Sequence, residues 1–471
     1  MMKTKNYPVL FLFCISFFSG FQLLGQTNSA VLDAFLKAEN LKHAAISFYV
    51  VDLSSGKTIA YNENMALTSA STMKIITTAT ALELLGRNFR YKTPLYYDGI
   101  IQNSVLEGNL YVEGVGDPTL GSEFIGTPKE NFLKEWTIAL QNMGIKTIAG
   151  NVIVLDQLFG YEGVSPKWMK EDLGNYYASG TYGISVFDNM YRLHFQTFQP
   201  GTDAVFLSME PFIKEIQLTN ELKAGNSNSD NSFIFGVPFS YQRRIHGTIP
   251  PHRASFVVRG DIPDPGLFLA QTFVDYLQNQ NIAVKGNATT YRLFSQNPTE
   301  KKEIVATNSP TLTSIVRVIN ERSNNHYADH LYQRLKVVDR VDFNDYWKSK
   351  GLNSAALFIF DGSGLAPVNA VSAKFLTDIL LYMDKKEGTT GAFYRSLPLA
   401  GREGTVVSFL RNTPLEGKAR VKSGSITNVQ SYAGYIEKAN NRYAFAILVN
   451  NYTGTRADVR KEIEKLLVGL P

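Results

Sequence analysis

The stretch Ser71-Thr72-Met73-Lys74 places a hydroxyl and an amine three residues apart. The residues around it predict a helix that begins near Ser69 or Ser71 and ends at Gly86, with an apolar face made by Met73, Ile76, Leu82 and Leu85. Residues three apart on a helix are neighbours, so the two side chains would meet. A serine hydroxyl attacks well when a base takes its proton, and a lysine with a depressed pKa is such a base. Ser71 is therefore a candidate nucleophile and Lys74 its candidate base.

The same spacing occurs at Ser54-Ser55-Gly56-Lys57. On the order of two Ser-x-x-Lys quartets are expected by chance in a chain of this length, so the spacing alone decides little. The second quartet falls in a predicted hairpin turn between strands at 45–51 and 57–62, where no helical face aligns the side chains. We interpret it as a turn.

A Ser-x-x-Lys element belongs to a known motif set when a Ser-x-Asn element follows it in the chain. Ser323-Asn324-Asn325 lies between predicted helices at 312–319 and 327–337, and a corner between helices can aim two side chains into a cleft. Ser323 is then a candidate proton relay, and Asn325 a candidate contact for Lys74 and the substrate backbone. The literal Ser229-Asp230-Asn231 lies in a polar stretch that predicts a loop.

A third element, Lys422-Ser423-Gly424-Ser425, follows a strand that is predicted to end at Lys422. An edge strand here could hold an extended peptide by backbone hydrogen bonds, with Gly424 allowing close approach. Lys422 would supply positive charge, and the hydroxyls of Ser423 and Ser425 could bind a terminal carboxylate. The N–H groups of Ser71 and Ser425 would form an oxyanion hole.

The order and context of these elements resemble the D-alanyl-D-alanine carboxypeptidase/endopeptidase family, the low-molecular-mass class C penicillin-binding proteins. Further stretches that look like the family lie at 108–120, 165–168, 361–365 and 399–405. The resemblance covers nearly the whole chain after its N-terminal segment.

The resemblance implies an α+β fold: a penicillin-recognising domain of the β-lactamase/transpeptidase-like type, with an antiparallel sheet between helices. This catalytic domain would be discontinuous, formed by 26–92 and 299–471. A β-rich region at 93–298, with two small nested domains, would be inserted between its halves. The 252 positions from Ser71 to Ser323 leave room for this insertion, whereas a class A β-lactamase has a much shorter separation.

The function implied is that of a serine-type D-Ala-D-Ala carboxypeptidase, with D,D-endopeptidase activity left open, acting on peptidoglycan stem peptides through an acyl-enzyme on Ser71. β-Lactam antibiotics would acylate the same serine. A β-lactamase of the same fold and a non-catalytic peptidoglycan-binding protein are the alternatives. Neither cofactor nor metal is expected: His326 and His330 have zinc-like spacing but lack a neighbouring glutamate, and solvated or capping histidines are preferred.

Two departures from the family concern the substrate. Its commonest third element has threonine where Ser423 stands, a change that keeps the hydroxyl. Members that bind the side-chain carboxylate of diaminopimelate carry an arginine where this chain has Ala366-Pro367-Val368. Asp156 stands where the family's inserted region offers an acid to the amine of that side chain, and it is a candidate for that contact.

The N-terminus predicts export. Lys3 and Lys5 precede an apolar stretch at 9–24 and the small residue Gly25, which is typical of a signal peptide at 1–25. The sole cysteine, Cys14, lies inside it, so cysteine nucleophiles and disulfides are not expected. We expect the mature chain in the periplasm or cell envelope of a bacterium, without a membrane span. A net charge of +5 without blocks of like charge argues against nucleic-acid binding.

Overall fold

The computed structural model describes residues 30–295, 300–438 and 441–471. The predicted signal peptide at 1–25, with Cys14, lies outside the described residues. Before the insertion, the chain forms α1 Ala30–Leu36, β1 Ala45–Asp52, β2 Thr58–Tyr61, β3 Ala66–Thr68 and α2 Met73–Leu85.

The inserted region alternates short strands with three helices. In chain order these are β4 Lys92–Tyr97, β5 Ile100–Gln102, β6 Val105–Glu107, β7 Leu110–Glu113, α3 Asn131–Asn142, β8 Thr147–Ile148, β9 Val152–Leu155, β10 Met190–Thr197, β11 Val205–Glu210, β12 Gln217–Ala224, β13 Asn231–Phe235, β14 Gln242–Ile249, β15 Arg253–Asp261, α4 Pro265–Asn279, β16 Ala283–Val284, β17 Ala288–Thr290 and α5 Tyr291–Phe294.

The rest of the chain returns to helices and then to three long strands. Its elements are β18 Lys302–Asn308, α6 Leu312–Arg322, α7 Asn325–Gln333, α8 Phe343–Ser349, β19 Leu357–Phe358, β20 Ala370–Ser372, α9 Ala373–Glu387, α10 Ala392–Ser396, β21 Ala419–Ile426, β22 Val429–Lys438, β23 Asn441–Asn450 and α11 Arg456–Val468.

An antiparallel sheet of five strands, in the order β2-β1-β23-β22-β21, forms the centre of the catalytic domain. Side chains alternate between the faces of a strand, and β23 is apolar on both. Ala444, Ala446 and Leu448 pack with α2, α6, α7 and α9, whereas the intervening Phe445, Ile447 and Val449 pack with α1 and α11. The sheet is thus buried between helical layers, as the α+β prediction required.

Strand β21 corrects one sequence prediction. It does not end at Lys422 but continues to Ile426, because the ladder with β22 pairs Ser423 with Tyr432, Gly424 with Ser431 and Ser425 with Gln430. Pairing with β22 keeps the backbone of this Ser-Gly-Ser run extended. The third element therefore lies within an edge strand.

The inserted region contains both mixed and antiparallel sheets. Five strands, β17-β9-β7-β4-β18, lie in one sheet, and β18 joins it from beyond the predicted boundary at 298. Helix α3 was not predicted, although its buried residues Leu133, Trp136 and Leu140 recur with helical spacing. One apolar cluster includes residues from α3, α4 and the strands β4 to β15. The division into two nested domains stays a prediction.

Candidate active site

Ser71 lies in a 3-10 turn, Ala70–Thr72, that leads directly into α2, and Lys74 is the second residue of that helix. Lys74 is fully buried, and its Nζ lies 3.0 Å from Ser71 Oγ, 2.7 Å from Asn325 Oδ1 and 2.6 Å from the Ser363 carbonyl oxygen. As an ammonium, Lys74 donates to all three oxygens. As a neutral amine, it keeps two donors and can accept the Ser71 proton.

Burial is the main cause that lowers the pKa of Lys74, to about 8, because the charged form loses hydration in the interior. The carboxylates of Asp329 and Asp361 act in the opposite direction and keep the pKa from falling further. The amine therefore exchanges its proton close to neutral pH, as a general base must.

Asp361 organises the loop that supplies the third Lys74 contact. Its Oδ1 accepts the Gly364 N–H at 2.7 Å and its Oδ2 accepts the Ala366 N–H at 2.8 Å and the indole N–H of Trp168 at 2.9 Å. Trp168 belongs to the inserted region, so the insertion contributes to this loop directly.

Asp329, on α7, supports the same loop from the other side. One of its oxygens accepts the main-chain N–H groups of Gly362 and Ser363, both at 2.9 Å. These bonds fix the peptide that presents the Ser363 carbonyl to Lys74. Burial and the nearby Asp361 raise the pKa of Asp329 well above its usual range.

The corner between α6 and α7 is as tight as the sequence suggested. Ser323 ends α6 in the left-handed conformation, with φ of +54°, and the Asn324 side chain caps α7 by accepting the Tyr327 N–H. Asn325 directs Oδ1 to Lys74 and donates from Nδ2 to the Tyr177 carbonyl at 2.8 Å. Both ends of its amide are engaged, which fixes its orientation.

Lys422 forms a second serine-lysine pair opposite the first. It is fully buried, and its Nζ donates to Ser323 Oγ at 2.9 Å and to the Ser423 carbonyl at 2.7 Å. Burial first, and then the positive charge of Lys74, lower its pKa well below the usual range. The three predicted elements therefore meet in one cluster.

Gly424 brings the edge strand β21 against the nucleophile turn. A Cβ built at this position would lie 2.8 Å from both Ser71 N and the Ser69 carbonyl oxygen, and 2.4 Å from Ser431 Oγ. Such distances are too short for any side chain, so the approach requires glycine. Next to it, Ser423 Oγ lies 2.8 Å from Thr405 Oγ1.

The rejected alternatives occupy exposed turns. Ser54 donates its main-chain N–H to the Asp52 carboxylate in the β1–β2 turn, and Ser229 lies in the exposed loop between β12 and β13.

Asp156 is buried in the inserted region, where its carboxylate accepts from the Tyr161 hydroxyl at 3.0 Å and from the Arg292 main-chain N–H at 3.4 Å.

His326 and His330 were expected to be solvated or capping residues, and the solvated alternative is wrong. His326 and His330 are buried beneath the inserted region, and the ring nitrogens of His326 lie 3.2 Å from Ser179 Oγ and 2.6 Å from Ser185 Oγ. Burial lowers the pKa of both rings. Within the described residues no group of three or more metal-ligating side chains is present.

Sequence reasoning missed the groups that support the cluster. Asp329, Trp168, Tyr177 and Thr405 act through contacts between segments that are far apart in the chain. Trp168 and Thr405 lie in stretches that had been recognised as similar to the family, but nothing in those stretches indicated their partners. Tyr177 contributes a main-chain carbonyl, which no side-chain pattern could reveal.

A protein-family comparison matches residues 28–470 to the family described as D-Ala-D-Ala carboxypeptidase 3 (S13). The chain belongs to this family. It is a hydrolase of the serine D-Ala-D-Ala carboxypeptidase type, related to penicillin-binding proteins, as the resemblance implied.

No helix among the described residues has both the length and the apolar character needed to cross a membrane.

Individual relatives agree with this assignment. The D-alanyl-D-alanine carboxypeptidase of Actinomadura sp. (strain R39) is 24% identical over 457 residues, which cover 90% of this chain and 81% of the relative. The crystal structure of penicillin binding protein 4 from Haemophilus influenzae has a TM-score of 0.78 at 21% identity and covers 93% of this chain and 97% of its own. The same protein complexed with a novel β-lactam has a TM-score of 0.73 at 20% identity, covering 93% and 98%. The fold prediction is confirmed.

Proposed function

We propose that this S13 carboxypeptidase releases the terminal D-alanine of peptidoglycan stem peptides through an acyl ester on Ser71, with Lys74 as the base. The observation that carries the proposal is the buried Lys74 amine, 3.0 Å from Ser71 Oγ and with its pKa lowered to about 8. A hydroxyl next to an amine of this pKa has an acceptor for its proton at neutral pH.

Acylation proceeds by attack of Ser71 Oγ on the carbonyl carbon of the penultimate D-alanine while Lys74 Nζ takes the hydroxyl proton. The N–H groups of Ser71 and Ser425 donate hydrogen bonds to the tetrahedral oxyanion. These bonds strengthen as negative charge develops on the oxygen. The C–N bond then breaks, and Ser323 passes a proton to the leaving amine and regains one from Lys422 or Lys74. Support comes from the 2.9 Å contact between Lys422 Nζ and Ser323 Oγ.

Deacylation uses water in place of the amine. Lys74 takes a proton from the water, the hydroxide adds to the ester carbonyl, and Ser71 leaves with a proton returned by the lysine. One D-alanine and one shortened peptide result per water consumed. D,D-endopeptidase activity differs only in the amine that leaves, and a cross-linked peptide is the substrate that would reveal it.

The substrate peptide extends along β21, where the strand edge offers backbone hydrogen-bonding groups. The hydroxyls of Ser423 and Ser425 hold the terminal carboxylate, and Asn325 contacts the backbone of the acyl portion. The closeness of Gly424 to Ser71 N supports this arrangement. Asp156 is a candidate for an amine on the substrate, and its Oδ1 already accepts the Tyr161 hydroxyl.

β-Lactam antibiotics acylate the same serine in this proposal. The likeness to a penicillin binding protein 4 structure that is complexed with a β-lactam supports it. The segment at 1–25 directs export, which brings the enzyme to the periplasm or cell envelope where peptidoglycan lies.

The deciding experiment compares the wild type with Ser71→Ala and Ser54→Ala, using a pentapeptide substrate and a fluorescent penicillin. Ser71→Ala should release no D-alanine and take no label, while Ser54→Ala should do both as the wild type does. Labelling of Ser71→Ala would overturn the assignment of the nucleophile. Rapid turnover of the penicillin by the wild type would identify a β-lactamase, and labelling without peptide hydrolysis would favour a binding protein.

A further inference from the structure

A cavity of about 300 Å³ lies directly behind the Ser323–Asn325 corner, between α6, α7 and the inserted region. Its wall includes Arg259 from β15, Tyr176 from the segment between β9 and β10, and Arg322, the last residue of α6. This volume is at the lower end of small-molecule sites and admits a side chain rather than a further strand. Ser323 and Asn325 also line it, but the mechanism above gives no role to Arg259, Tyr176 or Arg322.

Arg259 gives this cavity its chemical character. Its guanidinium lies over the Tyr176 ring, 4.5 Å from the ring centre, and the side chain is exposed. Among the residues that the structure describes, no carboxylate forms an ion pair with it. Stacking holds the guanidinium plane while leaving its N–H donors available, and those donors match a carboxylate in the bidentate manner.

The charge balance of the cavity also favours an anion. Arg322 adds a second, exposed guanidinium, whose Nε is 3.7 Å from Glu321. Asp188 is an acidic residue that lines the cavity. It is buried, and its Oδ2 accepts the Glu123 main-chain N–H at 3.1 Å. Burial raises the pKa of Asp188 to about 6, which weakens its opposition to an incoming anion.

The cavity is joined to the catalytic cluster through two adjacent residues. Tyr176 stacks on Arg259, and Tyr177 accepts the Asn325 side-chain amide at 2.8 Å. A substrate whose backbone contacts Asn325 therefore passes the opening of the cavity. The terminal carboxylate is held on the opposite side, at β21, so a group that enters here belongs to the acyl portion.

We propose that this cavity is a specificity subsite in which Arg259, stacked on Tyr176, binds a carboxylate carried by the peptide on the N-terminal side of the scissile bond. The proposal rests on the carboxypeptidase function proposed above. In this chain, Ala366-Pro367-Val368 stands where relatives that bind a side-chain carboxylate carry arginine. Arg259 would provide the cationic group instead.

The test uses three peptides that end in D-Ala-D-Ala. The first has a side-chain carboxylate on the residue before this pair, the second has it one residue earlier, and the third is amidated at both positions. Arg259→Gln should lower kcat/KM about tenfold for a carboxylate peptide, mainly through KM, because a charge-assisted contact is lost. The amidated peptide should be unaffected, and the position that responds identifies which residue enters the cavity.

Arg253→Gln is the matched control, since Arg253 is an exposed arginine at the other end of the same strand. It should not change the preference for carboxylate, whereas Arg259→Glu should reverse that preference in favour of the amidated peptide. An equal loss on all three peptides, or no loss on either carboxylate peptide, would overturn the subsite. If the wild-type enzyme released no D-alanine from any of the three peptides, the proposed carboxypeptidase function would be overturned instead. Failure of the subsite and failure of the function are therefore distinguishable.

Discussion

Trp168 donates its indole N–H to the Asp361 carboxylate over 2.9 Å, across 193 positions of sequence. Asp361 shapes the loop whose Ser363 carbonyl accepts from Lys74. A residue of the inserted region therefore supports Lys74, the proposed base, through only one intervening loop. The insertion is part of the active-site structure and not merely an appendage beside it.

Replacing Trp168→Phe should lower both stability and turnover. The change removes the N–H but keeps an aromatic ring, so the buried Asp361 carboxylate loses one donor. Loss of such a bond costs about 1–3 kcal/mol, and the loop that holds Lys74 should become less ordered. Thermal unfolding and kcat on a D-Ala-D-Ala peptide measure the two effects.

Trp136→Phe is the matched control for this change. Trp136 is also buried and donates its indole N–H, at 3.0 Å, to Thr307 in β18, the strand that pairs with β4. It should lose stability with little change in kcat. If both variants lose kcat equally, Trp168 acts through general stability alone and the proposed coupling is wrong.

The acylation rate should rise with pH through a midpoint of about 8. Lys74 must be neutral to accept the Ser71 proton, and its pKa is lowered to about 8. Below that pH the amine holds its proton and the rate falls tenfold per unit. Stopped-flow acylation by a fluorescent penicillin between pH 5 and 10 gives the profile, and a rate independent of pH from 6 to 9 would exclude Lys74 as the base.

Asp329→Asn should move this midpoint to lower pH. The Asp329 charge raises the pKa of Lys74 against the effect of burial, so its removal lets the pKa fall further. The asparagine oxygen can still accept the N–H groups of Gly362 and Ser363, which keeps the loop in place. An unchanged midpoint would mean that Asp329 carries a proton in the native enzyme.

Asn325→Asp should move the midpoint the other way. A carboxylate 2.7 Å from Lys74 Nζ stabilises the ammonium and raises its pKa, so acylation at pH 7 should fall while the rate at high pH partly recovers. The new oxygen would also face the Tyr177 carbonyl, which now accepts an amide N–H. A midpoint that shifts downward in this variant would contradict the contact between Asn325 and Lys74.

Gly424→Ala should abolish most activity while the protein stays folded. The methyl group would require β21 to move away from the turn at Ser71, and a displacement of about 1 Å costs about 100-fold in rate. Acylation kinetics and circular dichroism together test this. Retention of wild-type acylation would show that the edge strand can shift without harm to the oxyanion hole.

The sequence indicated the candidate catalytic groups better than the residues that support them. Ser71, Lys74, Ser323 and Lys422 could be found because each lies in a short motif whose local structure, a helix start, a corner or a strand, has a recognisable pattern. Asp329 and Trp168 could not, because their roles arise only when α7, the inserted region and the loop at 361–366 come together.

The errors also have a physical cause. Strand β21 was predicted to end at Lys422, whereas pairing with β22 keeps the Ser-Gly-Ser run that follows extended. His326 and His330 were interpreted as solvated or capping residues beside the corner at Ser323. The inserted region covers α7, and this tertiary contact leaves no local pattern.

The strand order of the central sheet makes the candidate active site depend on the last part of the chain. Strand β1 pairs Ala45 with Asn450, so a central strand of the sheet comes from the last part of the chain. During synthesis the nucleophile emerges early, but β22 and β23, against which its helix and β21 pack, do not yet exist. Contacts this distant in sequence form slowly and late in folding. A nascent or truncated chain would thus carry Ser71 before the proposed site has formed, and we expect hydrolysis only after the final strand has been inserted.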